Sequence, residues 1–375
     1  MSGNEKRIPA PESSARNGHT RYSGIELLRV LAACAVVFLH YNDGRAFVAL
    51  NTLDNQYWLA NKLILYFGES LCICAVDLFI LISGFFLSGS SRRSIDKPLR
   101  LLLQVVLFRL GMYLAHCVKD GSFSLRSFLF CFVPVNYFVV LYCALYFISP
   151  YINRAVAGFG RKEWRTLLLI ALLIFSVYQT GVDVFQEIVG KQIMGLSPIG
   201  AWGGQQGFNI VNFCLMYIIG AYLRHCDSAY GGGYRKPVLT FLACAVIVFA
   251  WALANDRMHL NGLRSAWVYH NPLVILLAVS IFAVFRGMRF ASAFINRIAR
   301  ASFTCFLLHG YLLPLARIDY FVRMHPLVLA GHCIVTILCC YMISVLVYEI
   351  YNLIAGGIFG RFAFKNITYY SDLGQ

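Results

Sequence analysis

Charge is what this chain has least of. Only 13% of its 375 residues are Asp, Glu, Lys or Arg, about half the share found in a water-soluble domain. Acids are rarer still, 17 against 32 bases. A surface this poor in charge cannot face water over most of its area, which excludes a soluble globular enzyme. There is no internal repeat and no low-complexity tract. No disulfide or metal framework is legible either. Most of the 13 cysteines lie inside apolar runs, among them Cys34, Cys143, Cys214, Cys244, Cys339 and Cys340, and the pair Cys72 and Cys74 has neither metal-ligand nor redox spacing. They read as small apolar packing residues. No secretory signal is visible, because some two dozen polar residues precede the first apolar segment and no cleavage site follows it.

What the chain has in abundance is apolar length. Hydrophobic residues make up 59% of it, with a mean hydropathy of +0.66. Ten apolar segments approach the roughly 20 residues that a membrane-crossing helix needs: 25–42, 71–89, 99–116, 132–152, 166–183, 208–224, 237–254, 270–286, 301–322 and 327–354. The expected fold class is an all-α polytopic membrane protein, a bundle of about ten transmembrane helices. If the N-terminus is cytoplasmic, twenty-one of the 32 bases fall in cytoplasmic segments and nine in outer loops. That bias puts both termini inside. It also explains the net charge of +15 without nucleic acid, since every inner loop contributes and no single basic arm stands out. The expected domains are a polar, disordered cytoplasmic tail over 1–24, the membrane domain over 25–354 and a second cytoplasmic tail over 355–375. Two outer stretches, 43–70 and 184–207, read as long loops.

Against that background the few ionisable groups within the apolar segments stand out, because such groups at membrane depth are costly and usually functional. The first segment holds Glu26, Arg29 and His40. Arg29 and His40 differ by eleven positions, three helical turns plus about 20°, so they share one face about 16 Å apart. Glu26 lies one turn before Arg29 and can pair with it. An arginine that snorkels and a histidine that meets water would look the same. Asp77, in the second segment, lies about 9 Å below the outer end, close to the level of His40. A carboxylate there would hold the tautomer of a histidine base. Arg109, at similar depth on the third segment, competes for Asp77, and a purely structural ion pair is the alternative. Ser83 and Gly84 suggest close helix approach. His309 falls mid-segment in an apolar run, where a packed histidine is the plainer reading. Phe138, Tyr142 and Tyr146 form an i,i+4 stripe that suits core packing or an acyl or sugar wall. Trp202–Gln206 reads as a linker or as a carbohydrate contact.

The stretches GIELLRVLAACAVVFLHY, VDLFILISGFFLS with a basic loop after it, LYCALYFISPYIN and SFTCFLLHGYLLP, in that order over about 20–325, resemble the acyltransferase-3 family. Its members are bacterial ten-helix membrane acyltransferases that modify envelope carbohydrates. The resemblance implies that His40 is the catalytic histidine and Arg29 its motif partner. It places Asp77 and Ser83–Phe86 in the second-helix signature, Arg92, Arg93 and Arg100 in the basic loop, and His309 at the histidine of the penultimate helix. The chain departs from the pattern at Asn136–Tyr137, where the family often has Trp or His, and it carries no esterase-like domain after its last helix.

These observations set out a reaction as an expectation. Acetyl-CoA or another acyl-CoA is the donor, and no metal is needed. Arg29, Arg92, Arg93 and Arg100 bind its phosphates, although the positive-inside bias alone would supply such arginines. His40, oriented by Asp77, is the general base or transient acyl carrier. Arg109 or a main-chain N–H near Ser83–Gly84 steadies the developing oxyanion, and Glu26 and His309 support the site. The acceptor is a carbohydrate or lipid-linked sugar, the bilayer is the other partner, and the location is the inner (plasma) membrane. A transporter or flippase of lipid-linked sugars is the competing reading; it often shows internally repeated halves, and the first five segments do not echo the last five.

Overall fold

The computed structural model describes residues 23–52, 55–90, 93–226, 233–260 and 264–359. Eleven helices carry the architecture: α1 Ser23–Tyr41, α2 Trp58–Cys72, α3 Ala75–Leu87, α4 Asp96–Asp120, α5 Tyr137–Ala155, α6 Arg161–Val189, α7 Ile210–His225, α8 Arg235–Arg257, α9 Pro272–Gly287, α10 Ser302–Leu312 and α11 Pro326–Phe359. Among the described residues there is no strand. Among the described residues nine helical stretches are long and apolar enough to cross a bilayer, α2 and α3 forming one of them, and α7 is a shorter tenth. The protein is therefore an all-α polytopic membrane protein with its ten apolar segments where the hydropathy predicts them.

Several helix starts follow from local capping. Asn136, Asn209, Asn271 and Ser292 sit in extended backbone, and each accepts a hydrogen bond from a main-chain N–H of the helix it opens, with Pro272 at the first turn of α9. α1 is the hub and packs against α2, α3, α9, α10 and α11. The tightest pair is α3 with α7. A Cβ added to Gly84 would lie 2.2 Å from the Tyr217 carbonyl oxygen, and one added to Gly220 would lie 2.2 Å from that of Leu81. The two backbones touch through glycine, as small residues permit in membranes. α4 is the opposite case, with only Pro98, Gln104 and Val105 fully buried.

Of the two stretches read as long loops, 43–70 is largely helical, and 184–207 is a loop from Gly190 onward. Over 43–70 the chain makes a π-helical turn at Asn42–Ala46, a short helix at Phe47–Thr52, and then α2 from Trp58. Buried Asn42 anchors this turn by donating to the Leu65 carbonyl at 3.0 Å and to Glu69 Oε2 at 2.9 Å. The span expected to begin at 71 begins at Trp58, and α2 breaks from α3 at Ile73–Cys74. Over 184–207, α6 runs on to Val189 through a π-helical stretch at Leu173–Tyr178, so the loop starts only at Gly190. The ninth segment is preceded by a short helix at Ala293–Ile298. The tail expected over 1–24 lies outside the described residues except for Ser23 and Gly24, which belong to α1. Of the tail expected over 355–375, residues to Phe359 continue α11 and the remainder lies outside them.

Candidate active site

The structure brings His40 of α1 against His309 of α10. Their ring centroids are 4.5 Å apart with the planes at 72°, an edge-on contact. His40 is exposed at its end of the bundle, whereas His309 is buried. Each histidine is fixed by its own helix. Nδ1 of His40 lies 3.0 Å from the Val36 carbonyl oxygen, and Nδ1 of His309 lies 3.1 Å from that of Cys305. A carbonyl only accepts, so both rings donate from Nδ1. The Nε2 of each neutral ring is then left with its lone pair.

A cavity of about 370 Å³ opens toward this pair from the other end of α1, within the size range of small-molecule sites. Glu26, Arg29, Arg300 and Ser302 line its polar end, and Ser83, Phe79, Phe138, Tyr142, Phe303 and Phe306 line the rest. Arg29 pairs with Glu26 at 3.0 Å and keeps about a third of its side chain exposed, with its guanidinium 5.5 Å from the Phe86 ring centre. Arg300 is exposed. Phe306 lines the cavity and also approaches His309, centroid to centroid, at 6.0 Å. One turn of α10 thus separates the cavity wall from the histidines. The Ser83 hydroxyl donates to the Phe79 carbonyl at 2.8 Å.

Other residues expected at this site are placed elsewhere. Asp77 does not contact His40. It is wholly buried in the first turn of α3, where Oδ1 accepts from Asn212 Nδ2 at 3.1 Å, so its carboxyl ties α3 to α7. The main-chain carbonyl of Val36 holds the His40 tautomer instead. Arg93 does not face the cavity. It is buried, with Nε donating to Ser149 Oγ at 3.0 Å, Nη1 to the Ser90 carbonyl at 2.7 Å and Nη2 to the Leu87 carbonyl at 3.1 Å, and it lies 5.6 Å over the Tyr146 ring. Its guanidinium caps the end of α3, with three of its N–H groups engaged by oxygens there. Arg92 lies outside the described residues. Arg100 is exposed on α4 and does not line the cavity. Arg109 stacks 4.8 Å over Phe130 in a separate groove and is not brought to the histidine pair.

Three features were missed in the sequence. Arg300 reads in the sequence as one more base of an inner loop. The His40–His309 contact joins residues 269 positions apart, with no local signal. Asn212, a lone amide in an apolar run, did carry a signal, because intramembrane polar groups seek partners. Among the described residues no group of three or more His, Cys, Asp or Glu is placed to hold a metal ion.

Comparison with known proteins gives one result that agrees with this arrangement. The family model Acyl_transf_3, described as an acyltransferase domain, matches residues 22–345, which run from the start of α1 into α11. No curated protein and no solved structure matches the chain. A match over most of the chain, on a ten-segment membrane bundle with two histidines in contact, makes the assignment direct: this chain belongs to the acyltransferase-3 family and is a membrane acyltransferase.

Proposed function

We propose that the protein takes an acyl group, acetyl in the simplest case, from a cytoplasmic acyl-CoA and places it on a hydroxyl of an exported or cell-envelope carbohydrate, with its N-terminus on the cytoplasmic side of the inner membrane. The observation that carries this reading is the cavity that begins at Arg29 and Arg300 and ends at Phe306, one turn from the histidine pair.

The two guanidiniums suit the 3′-phosphate and pyrophosphate of the donor. The pantetheine arm is mostly methylene with two amides. It fits a wall of Phe79, Phe138, Phe303 and Phe306 broken by the hydroxyls of Ser83 and Ser302. The Arg29–His40 rise of about 16 Å along α1 is comparable with the length of that arm. At the far end His40 Nε2 takes the proton of the acceptor hydroxyl. The alkoxide oxygen attacks the thioester carbonyl, and the C–S bond breaks. The departing thiolate takes the proton back from His40, so charge and protons balance over one turnover. His309 positions the His40 ring edge-on.

The test is acetyl-CoA consumption and acetylated product from the purified full chain, using surface glycans extracted from cells that lack the protein as the acceptor. His40→Ala should insert normally and lose activity, and Arg29→Ala should raise the KM for acetyl-CoA more than it lowers kcat. Glycan acetylation that continues with His40→Ala, or that proceeds without any acyl-CoA, would refute the reading.

A further inference from the structure

The chain between α6 and α7 closes a second cavity, of about 460 Å³, whose chemistry differs from that of the first. Its polar lining is Asp183, Gln186, Gln192, Gln205 and Gln206, with Trp202 and Phe208 as the aromatic members, and no lysine or arginine takes part. It lies at the end of the bundle that carries His40, because α6 and α1 both run toward that end under the alternation of the spans.

This loop is held in a costly shape. Gln205 (φ 48°) and Gln206 (φ 54°) both occupy the left-handed region, between Gly203 (φ 143°) and Gly207 (φ 89°). Such conformations are unfavourable for residues other than glycine, and they persist where the surroundings impose them. The surroundings here are specific. Tyr269 N–H donates to the Gln206 carbonyl at 2.9 Å, and Asn209 Nδ2 donates to that of Gly204 at 2.7 Å. Phe208 sits between Tyr137 and Tyr269 with both ring centroids at 4.9 Å. The result displays two glutamine amides and an indole that is 58% exposed. The side-chain amides of Gln192, Gln205 and Gln206 are exposed and make no hydrogen bond among the described residues.

Beneath the loop, Asp183 is fixed rather than free. Its Oδ2 accepts from His270 Nε2 at 2.5 Å and its Oδ1 from Gln179 Nε2 at 2.8 Å. His270 is wholly buried, and its Nδ1 finds no partner among the described residues. A rigid carboxylate, several open amides and one exposed indole form a recognisable set. Sugar C–H faces stack on indole, and vicinal hydroxyls exchange paired hydrogen bonds with amides and carboxylates. A carboxylate with no cation in the lining disfavours uronic acids, phosphates and sulfates.

We infer that this cavity is the subsite that holds the acceptor glycan, and that the sugar residue it takes is neutral. The inference rests on the acyl-transfer reading and narrows its substrate class. A run of ring contacts leads inward from the cavity: Phe208 to Tyr137, then from its neighbour Phe138 to Phe306 at 5.0 Å, and on to His309.

The probes are chitopentaose, maltopentaose and cellopentaose as neutral glycans and trigalacturonate as the anionic one, each titrated by saturation-transfer NMR against the full chain in nanodiscs. At least one neutral glycan should bind. Trp202→Ala and Gln206→Gly, which leave the Asp183–His270 pair intact, should each raise its Kd about tenfold, and trigalacturonate should not compete. Three results would overturn the inference: no binding of any neutral glycan, binding unchanged in both variants, or preference for trigalacturonate. Coenzyme A titrated on the same samples tests the donor reading separately, so failure of either reading is recognised by itself.

Discussion

At the scale of single residues, the base proposed at His40 needs its second nitrogen fixed, and a main-chain carbonyl does it. Val36 O holds Nδ1 of His40, and Asp77 is occupied with Asn212. Asp77→Asn preserves an acceptor for Asn212, so it should leave kcat largely intact. In a serine-protease triad the corresponding change costs about 10⁴-fold. Loss on that scale, measured with acetyl-CoA, would restore Asp77 to catalysis. His40→Ala should lower kcat by about 10²- to 10⁴-fold, the range for removal of a general base, with coenzyme A binding retained. Arg93 and Arg300 look alike in the sequence, as bases in basic loops, and only the fold separates them. Arg93 donates to Leu87 O, Ser90 O and Ser149, whereas Arg300 lines the cavity proposed for the donor. Arg93→Ala should therefore cost about 2–3 kcal/mol of stability, read as a lower melting temperature in detergent with an unchanged KM for the donor. Arg300→Ala should do the reverse.

At the scale of helices, hydropathy was enough to find the nine stretches able to cross a bilayer and the shorter α7, because a segment surrounded by lipid has to be apolar for its whole length. It was not enough to find where helices break or touch. The α2–α3 junction at Ile73–Cys74 has neither proline nor glycine to announce it, and polar residues such as Asn61, Lys62 and Glu69 made α2 look like a loop although the fold buries them. The Ser83–Gly84 pair was legible as close packing, yet its partner Gly220 could not be identified without coordinates. The α3–α7 contact makes a sharp prediction. Gly220→Ala puts a Cβ 2.2 Å from the Leu81 carbonyl oxygen, so the helices must separate, at about 1–3 kcal/mol or more. Gly111→Ala on α4 meets nothing within 4 Å and should be neutral or stabilise by about 0.5–1 kcal/mol. Melting of the two variants side by side checks both. Phe306→Ala should shorten the wall between donor cavity and histidines and raise acyl-CoA hydrolysis in the absence of acceptor.

At the scale of the whole molecule, the uneven spread of Lys and Arg predicts an orientation for the bundle, with both ends of the chain on the cytoplasmic side. A reporter active only outside the cytoplasm should stay silent when fused at either end of the chain, and should light up when inserted in the loop after Val189. The helix α7 adds a geometric fact to that orientation. Its 16 residues rise about 24 Å, short of the roughly 30 Å of hydrocarbon. It can be short because none of its residues from Ile210 to Leu223 is exposed, so lipid never demands full length from it. The gap above its start is occupied by the glutamine loop, tied down by its own capping residue Asn209. The apolar layer is thus thinner at α7 than at the longer helices around it. If the acyl-transfer reading holds, a hydroxyl held in that loop lies nearer to a donor entering from the far side than it would above a full-length helix.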